Sequence, residues 1–365
     1  LKKRSRPAPP AAGTASGPPA NESPEPFRTA QADDPRTPAS EGAVRSAPFT
    51  RIRVFYGTNR RPTTSGRGVI NYGKDSGPLS LGYCDVSIPV THETGRIESP
   101  RLWRFEVREQ PEKHVMVLSV QSTGGRQFMT ELKRTVWESI ELRQSPDGPT
   151  ILGGEAFVFV HGFNNSFEDA ARRTAQIAYD IGFRGAPVMY SWPSQANGTL
   201  RSYQADSQSI VDSEPHFIAF LAGVMRESGA RRVHVVGHSM GNRLIGESLS
   251  QLSLHCASGS LPRISQVVLT APDVDAEYFK TAIAPRLTQS AERVTIYTSQ
   301  EDLALKASNF VNRLSRRRLG EGVGAELVFP DYPNIEIVDA SEVETDLFGF
   351  RHSYHAESPT VLGDI

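Results

Sequence analysis

The chain has 365 residues, room for one large α/β domain with extensions, and its 40 Lys and Arg are matched by 41 Asp and Glu. That balance argues against nucleic-acid binding, or membrane-surface binding, driven by bulk charge. Two cysteines, Cys84 and Cys256, supply neither a metal-ligand spacing nor a disulfide framework, although a single bridge stays open, and no apolar run approaches the roughly 20 residues of a transmembrane segment.

Residues 1–46 are rich in Pro, Ala, Gly and Ser and nearly empty of aliphatic side chains. Such a stretch buries too little apolar surface to offset its ordering entropy, so it reads as a disordered tether, dispensable for catalysis. Its basic start, Lys2-Lys3-Arg4-Ser5-Arg6, reads as a solvated charge run. The chain opens on Leu1 rather than Met. An upstream signal or anchor would place the domain in the cell envelope or outside the cell, and composition leaves compartment and oligomeric state open.

Order is expected over 47–365 as one domain, with 47–150 supplying its N-terminal strands and a helix. Ile52-Arg53-Val54-Phe55-Tyr56 alternates as a strand, and Gly57-Thr58-Asn59-Arg60-Arg61-Pro62 reads as a plain turn, with Asn59 and Arg60 reaching the active site as the alternative. Tyr83–Val90 and Val115–Val120 read as strands, and Thr130–Leu142 as a helix with Leu132, Val136, Ile140 and Leu142 on one side. Phe157–Val160 is a buried strand that ends in His161-Gly162-Phe163. Ser166-x-x-Asp169 then reads as a capping box opening a helix that stops at Gly182. Val188–Trp192 is the next strand, closed by Pro193 and followed by a polar loop to about Ser202. Phe217, Phe220, Leu221, Val224 and Met225 form one helix face. Strands over Val233–Val236, Gln266–Thr270, Val294–Thr298 and Ile335–Val338 follow, with helices after Ser239, near Tyr278–Ile283 and from about Leu303 to Arg317. The alternation predicts an α/β fold with a mostly parallel central sheet of about eight strands and helices on both faces.

The chemistry centres on Gly237-His238-Ser239-Met240-Gly241. A serine on a sharp strand-to-helix turn is lifted above the sheet edge, and side chains two residues either side of it would meet backbone, which suits glycine. A serine hydroxyl needs a base, and the base needs an orienting acid. In an open parallel sheet both come from loops beyond the carboxyl ends of strands. Asp302, after Val294–Thr298, is the expected acid, with Asp273 or Asp275 and then Glu301 as alternatives. The expected base is His352 after the last strand, with His355 as the alternative. His161 and His238 read as structural hydrogen-bonding groups. The order Ser239, Asp302, His352 is that of α/β-hydrolases. The amides of Phe163 and Met240 would form the oxyanion hole. His352-x-x-His355 with Asp346 or Asp364 lacks a helical pattern and a clear third ligand, so no metal is expected.

Six elements appear in one order: Tyr56-Gly57-Thr58-Asn59-Arg60, Phe159-Val160-His161-Gly162-Phe163-Asn164, Tyr190-Ser191-Trp192-Pro193-Ser194, Gly237-His238-Ser239-Met240-Gly241-Asn242, Ala271-Pro272-Asp273 and His352-Ser353-Tyr354. Together they resemble an uncharacterised bacterial family of α/β-hydrolases, a domain of unknown function, over about residues 50–365. Arg351 departs from the small residue expected before the histidine. The resemblance implies an α/β-hydrolase fold and a serine hydrolase without cofactor. The expected activity is carboxylic ester hydrolysis, on a small-molecule or lipid-like ester. A thioesterase, amidase or peptidase, or a non-catalytic binding or cell-envelope interaction protein, are the competing readings.

Overall fold

In a computed structural model of the chain, the described residues are 48–64, 70–100, 109–145, 148–195, 199–299, 317–321 and 329–341. All lie in the unit Ser46–Ile365. The expected tether, nearly all of the helix expected from Leu303, and Glu301, Asp302, Asp346, His352, His355 and Asp364 lie outside the described residues.

The elements are β1 (Phe49–Thr64), β2 (Ile70–Pro89), β3 (Met116–Thr123), α1 (Gly125–Glu138), a separate hairpin of β4 (Glu141–Ser145) and β5 (Gly148–Leu152), β6 (Glu155–Val160), α2 (Phe167–Asp180), β7 (Gly185–Ser191), α3 (Leu200–Glu227), β8 (Arg232–His238), α4 (Gly241–Ala257) and β9 (Ile264–Thr270). A helical run follows, from α5 (Ala276–Tyr278) through a π-turn at Phe279–Ile283 to α6 (Ala284–Ser290), and then β10 (Ala291–Thr298) and β11 (Ile335–Asp339). Nine strands form one sheet in the order β11-β10-β9-β8-β6-β7-β1-β2-β3, and β2 alone runs against its neighbours. After β6 the chain moves outward to β7 on one side, then returns through α3 to place β8 on the other side of β6. In an open α/β sheet such a reversal, here beyond the carboxyl ends of β6 and β8, is where the ligand site lies.

Period-two alternation sorts the side chains onto the two faces. Val158, Val160, Val188, Tyr190, Val235 and Val267 join one core with α1, α3, α4 and α6. Phe157, Phe159, Val236 and Val268 face the other way. On that side Val54, Tyr56, Cys84, Val86 and Met189 pack with Phe167, Ala170, Ala171 and Ala175 of α2. The capping box of α2 forms as expected, Ser166 Oγ accepting from the Asp169 N–H at 3.1 Å. Both cysteines are buried thiols, so the bridge left open by the sequence is absent. Among the described residues no helix is long and apolar enough to cross a membrane.

Three expectations need correction. The turn expected at Gly57–Pro62 is strand: β1 continues to Thr64, with register shifts either side of Arg60, and Thr58, Asn59 and Arg60 are buried. Gly57 marks a close approach instead, since a Cβ there would sit 2.5 Å from Phe220 Cδ2 of α3. The polar loop to Ser202 is followed by helix much earlier than expected. Thr199 caps α3, which runs 28 residues with Pro215 inside it. The helix expected to reach Leu142 stops at Glu138, and Leu142 enters the hairpin, 61 % exposed.

One clamp ties the loop after β2 to the end of α2. The His92 side chain, 2 % exposed, pairs with Glu98 through Nδ1 and with Asp180 through Nε2, each at 2.9 Å. Burial alone would lower its pKa, but the hydrogen bonds to Asp180 and Glu98 raise it to about 9. Protonated His92 therefore stabilises the fold fully below its unfolded value near 6.5, and the contribution fades as pH rises through about 9. His92→Gln should lower the thermal midpoint at pH 6.5, and the gap to wild type should close by about pH 10 in paired melts. A gap independent of pH would contradict the charged clamp.

Candidate active site

Ser239 sits where β8 hands over to α4, at φ 51°, and is 4 % exposed. A left-handed backbone costs a non-glycine residue about 1–2 kcal/mol, so its surroundings must impose it. They do so through hydrogen bonds on both sides. The Ser239 N–H donates to Thr270 O at 3.0 Å, while its carbonyl accepts from the N–H of Asn242 (3.1 Å) and of Asp273 (3.3 Å). Asn242 Nδ2 adds a donor to Thr270 O at 2.9 Å, and Thr270 Oγ1 donates to Gly237 O at 2.8 Å. The glycines follow from space. A Cβ on Gly237 would lie 2.2 Å from Asn242 Oδ1, and one on Gly241 would lie 2.5 Å from His161 O and 2.7 Å from Val160 O. The turn also brings the N-terminus of α4, with its partial positive charge, under the serine.

The loop after β6 is packed directly on this elbow. A Cβ on Gly162 would fall 2.9 Å from Ser239 Cβ and 2.8 Å from His238 Nδ1. The structure thus brings together His161-Gly162-Phe163, Ser239 and Met240. Asn164 turns the loop at φ 62°, and Asn165 Nδ2 donates to Phe163 O (2.8 Å) and Gly162 O (3.3 Å). His161 is 1 % exposed and stacked on Trp192, whose Nε1 donates to His161 O at 2.8 Å. Its Nδ1 lies 2.8 Å from Gly162 O, which can only accept, so Nδ1 carries the proton and donates. Burial, then the charge of Arg60, push its pKa down to about 3, so the ring is neutral at physiological pH.

The sequence left open that Arg60 reaches the site but favoured a plain turn, because a Gly-Thr-Asn-Arg-Arg-Pro string has turn composition. Its side chain enters the interior and is 1 % exposed. Nε donates to Ser191 Oγ (2.8 Å), Nη1 to Gly73 O (3.1 Å) and Ser194 O (3.3 Å), and Nη2 to Asn165 O (2.7 Å). Nη2 also lies 3.4 Å from His161 Nε2. Burial pulls its pKa down to about 9, with Asp206 and Asp169 opposing, and it stays charged at neutral pH. Asp206, fully buried, accepts from Ser194 Oγ (2.6 Å) and the Gln195 N–H (2.9 Å).

On the other flank, Asp273 is 2 % exposed and enclosed by Arg243, Arg318 and Tyr203. Arg243 Nη2 lies 2.7 Å from Oδ2, and Arg318 Nε 3.2 Å from Oδ1. Burial would lower the Arg243 pKa, but Asp273 and Tyr203 more than offset it and the net shift is upward. The Tyr203 ring meets Phe163 edge-on at 5.5 Å between centroids. Asp275 caps α5 by accepting from the Tyr278 N–H at 2.8 Å. Asp273 and Asp275 are thus engaged elsewhere, whereas Asp302, Glu301, His352 and His355 are outside the described residues.

The steric account of the elbow is testable. Gly241→Ala drives a methyl group into two backbone carbonyls that cannot rotate away, and should cost about 2–3 kcal/mol and abolish labelling of Ser239 by a fluorophosphonate. Gly125→Ala, in the first turn of α1 where the nearest atom is 3.8 Å from the new Cβ, should be neutral or slightly stabilising. Equal denaturation midpoints for the two variants would show that Gly241 is not confined.

Several solved structures are similar to this chain. An esterase from Pyrobaculum calidifontis is 14 % identical, over 66 % of this chain and 89 % of its own, with a TM-score of 0.32. Est1E from Butyrivibrio proteoclasticus is 11 % identical over 57 % of this chain and 86 % of its own, with a TM-score of 0.29. The esterase LipW from Mycobacterium marinum is 15 % identical over 66 % and 88 %, with a TM-score of 0.27. No curated protein sequence matches the chain significantly. A family model matches residues 150–365, the stretch that holds β6, β8, the elbow and everything after it. The chain belongs to the family described as alpha/beta hydrolase of unknown function (DUF900).

Proposed function

We propose that the protein is a serine hydrolase acting on carboxylic esters, small-molecule or lipid-like, without a cofactor. The observation that carries this reading is the elbow itself: Ser239 held at φ 51° with the Gly162 backbone packed against it. A turn that only closes a βα unit has no need of a strained serine or of a second loop seated on it.

In the proposed reaction Ser239 Oγ attacks the ester carbonyl carbon while His352 takes the hydroxyl proton. The carbonyl oxygen gains the negative charge and is held by the N–H groups of Phe163 and Met240. Collapse of the tetrahedral intermediate breaks the ester C–O bond, and His352 returns the proton to the departing alcohol. Water then attacks the acyl-enzyme by the same route and releases the acid. Asp302 orients His352 and stabilises its charged form. The engagement of Asp273 with two arginines and a tyrosine supports Asp302 in that role.

A fluorophosphonate probe followed by p-nitrophenyl esters of graded chain length tests the reading, with thioester and anilide analogues alongside. Ser239→Ala should lose label and lower kcat on the order of 10³–10⁶-fold while folding normally. His352→Ala should approach that defect, the double variant should be little worse than either single one, and His355→Ala should keep most of kcat. Asp302→Asn should lower kcat, whereas Asp273→Asn should lower stability by about 3–5 kcal/mol through the arginines it leaves unpaired. Normal ester turnover by Ser239→Ala would falsify the assignment, and preference for thioesters or anilides would change the substrate class.

A further inference from the structure

Arg60 serves neither as nucleophile, base nor acid in the proposed reaction, yet it is a fully buried cation a few side chains from Ser239. Its hydrogen bonds explain what it does. They run to the loop after β6, at Asn165 O, to the end of β7 at Ser191 Oγ, to Ser194 O in the loop beyond it, and to Gly73 O of β2. These are neutral oxygens, so the guanidinium acts as a directional fork rather than as half of an ion pair.

The fork bears on one peptide. The proton of His161 sits on Nδ1 and is given to Gly162 O, leaving Nε2 as an acceptor facing Ser191 Oγ at 3.2 Å and Arg60 Nη2 at 3.4 Å. A positive charge beside Nε2 opposes its protonation, so Arg60 keeps the imidazole in the tautomer that donates to Gly162. Gly162 O takes a second donor from Asn165 Nδ2, and Arg60 holds the carbonyl of that same Asn165 at 2.7 Å. The Gly162–Phe163 peptide is trans, so its carbonyl and the Phe163 N–H point in opposite directions. Fixing the carbonyl towards His161 and Asn165 therefore turns the Phe163 N–H away from them.

We propose that Arg60 is a positioning residue for the oxyanion hole: its guanidinium fixes the turn His161–Asn165 from behind and so aims the Phe163 N–H at the oxygen that becomes negative when Ser239 attacks. This rests on the serine-hydrolase reading. The bulges on either side of Arg60 supply the means, since they break the strand register and let this one side chain reach inward from β1. Lysine cannot replace it, because a single ammonium cannot reach both loops at once.

The test is kinetic. Arg60→Lys should lower kcat for a p-nitrophenyl ester about 10²-fold with KM changed less than about threefold, as for loss of one oxyanion donor. The Ki of a trifluoromethyl ketone, which forms a tetrahedral adduct with the serine, should rise by the same factor by which kcat/KM falls. Methylguanidine should restore part of the kcat of Arg60→Ala. Ser191→Ala removes the Nε acceptor and a neighbour of His161 Nε2 with little loss of volume. It keeps the test decisive if the Arg60 variants do not fold, and should show the same signature at about 10-fold. Wild-type kcat in folded Arg60→Lys or in Ser191→Ala, a loss confined to KM, or an unchanged inhibitor Ki would each overturn the inference. Wild-type protein that neither labels nor hydrolyses any ester would instead remove the serine-hydrolase reading itself.

Discussion

The site depends on a single backbone constraint, the left-handed conformation of Ser239. On its own it is unfavourable by about 1–2 kcal/mol for any L side chain, and it survives only because neighbours determine it from several directions. The adjacent strand contributes in kind. Ala271, just past β9, is also left-handed at φ 44°, donates its N–H to Tyr297 O, and leads the chain to Asp273, whose N–H closes on Ser239 O. Two strained residues on neighbouring strand ends thus support each other across β8 and β9. The glycines 162, 237 and 241 and the amide of Asn242 are consequences of that geometry, since each fills a space where a larger or apolar group would push the serine out of place.

Two buried charge clusters flank the elbow, and hydrophobic burial does not account for either. Arg60 lies beneath the loops after β6 and β7, with Asp206 and Asp169 balancing its charge at longer range. Asp273 lies on the opposite side between Arg243 and Arg318. Burying charges this way adds little net stability compared with an apolar replacement of equal volume. What such groups supply is direction: a guanidinium fork fixes angles as well as distances, and the loops it binds have no regular hydrogen bonding of their own. Apolar packing holds the sheet and helices, and polar locks hold the turns that carry the chemistry.

That division explains what could be read from the residues. The nine strands and the helices facing the core announce themselves through apolar periodicity, and the elbow through its glycines. Arg60 did not, because polar residues in β1 are indistinguishable from a turn until α3 and the loop after β7 are packed on them. The first half of α3 failed for a related reason. Ser202, Asp206 and Ser213 face inward to make polar contacts, with Asn59 binding Ser213 at 3.0 Å and Tyr190 binding Asn59 at 3.0 Å, so the inner face lacks an apolar stripe and Pro215 adds a false stop. The acid could not be singled out because four carboxylates, Asp273, Asp275, Glu301 and Asp302, follow strands at suitable places, and only three-dimensional partners show that Asp273 and Asp275 are engaged.

The same reasoning narrows the identity of the base. His161, packed beside the elbow, is poorly suited to serve as the base. His161 would have to accept a proton on Nε2 beside the Arg60 guanidinium, in an interior that already holds its pKa near about 3, while Nδ1 is committed to Gly162. His238 directly precedes the serine and borders the same glycine, a Cβ at Gly162 falling 2.8 Å from its Nδ1 and 2.9 Å from Ser239 Cβ. His234 is five residues upstream of Ser239, about 16 Å along the strand, and bound to Glu155. His255 lies near the far end of α4, about 20 Å along the helix axis. The proposed base, His352, belongs to the chain that follows the last strand. In the proposed triad one ring nitrogen of that histidine faces the serine and the other an acid after β10.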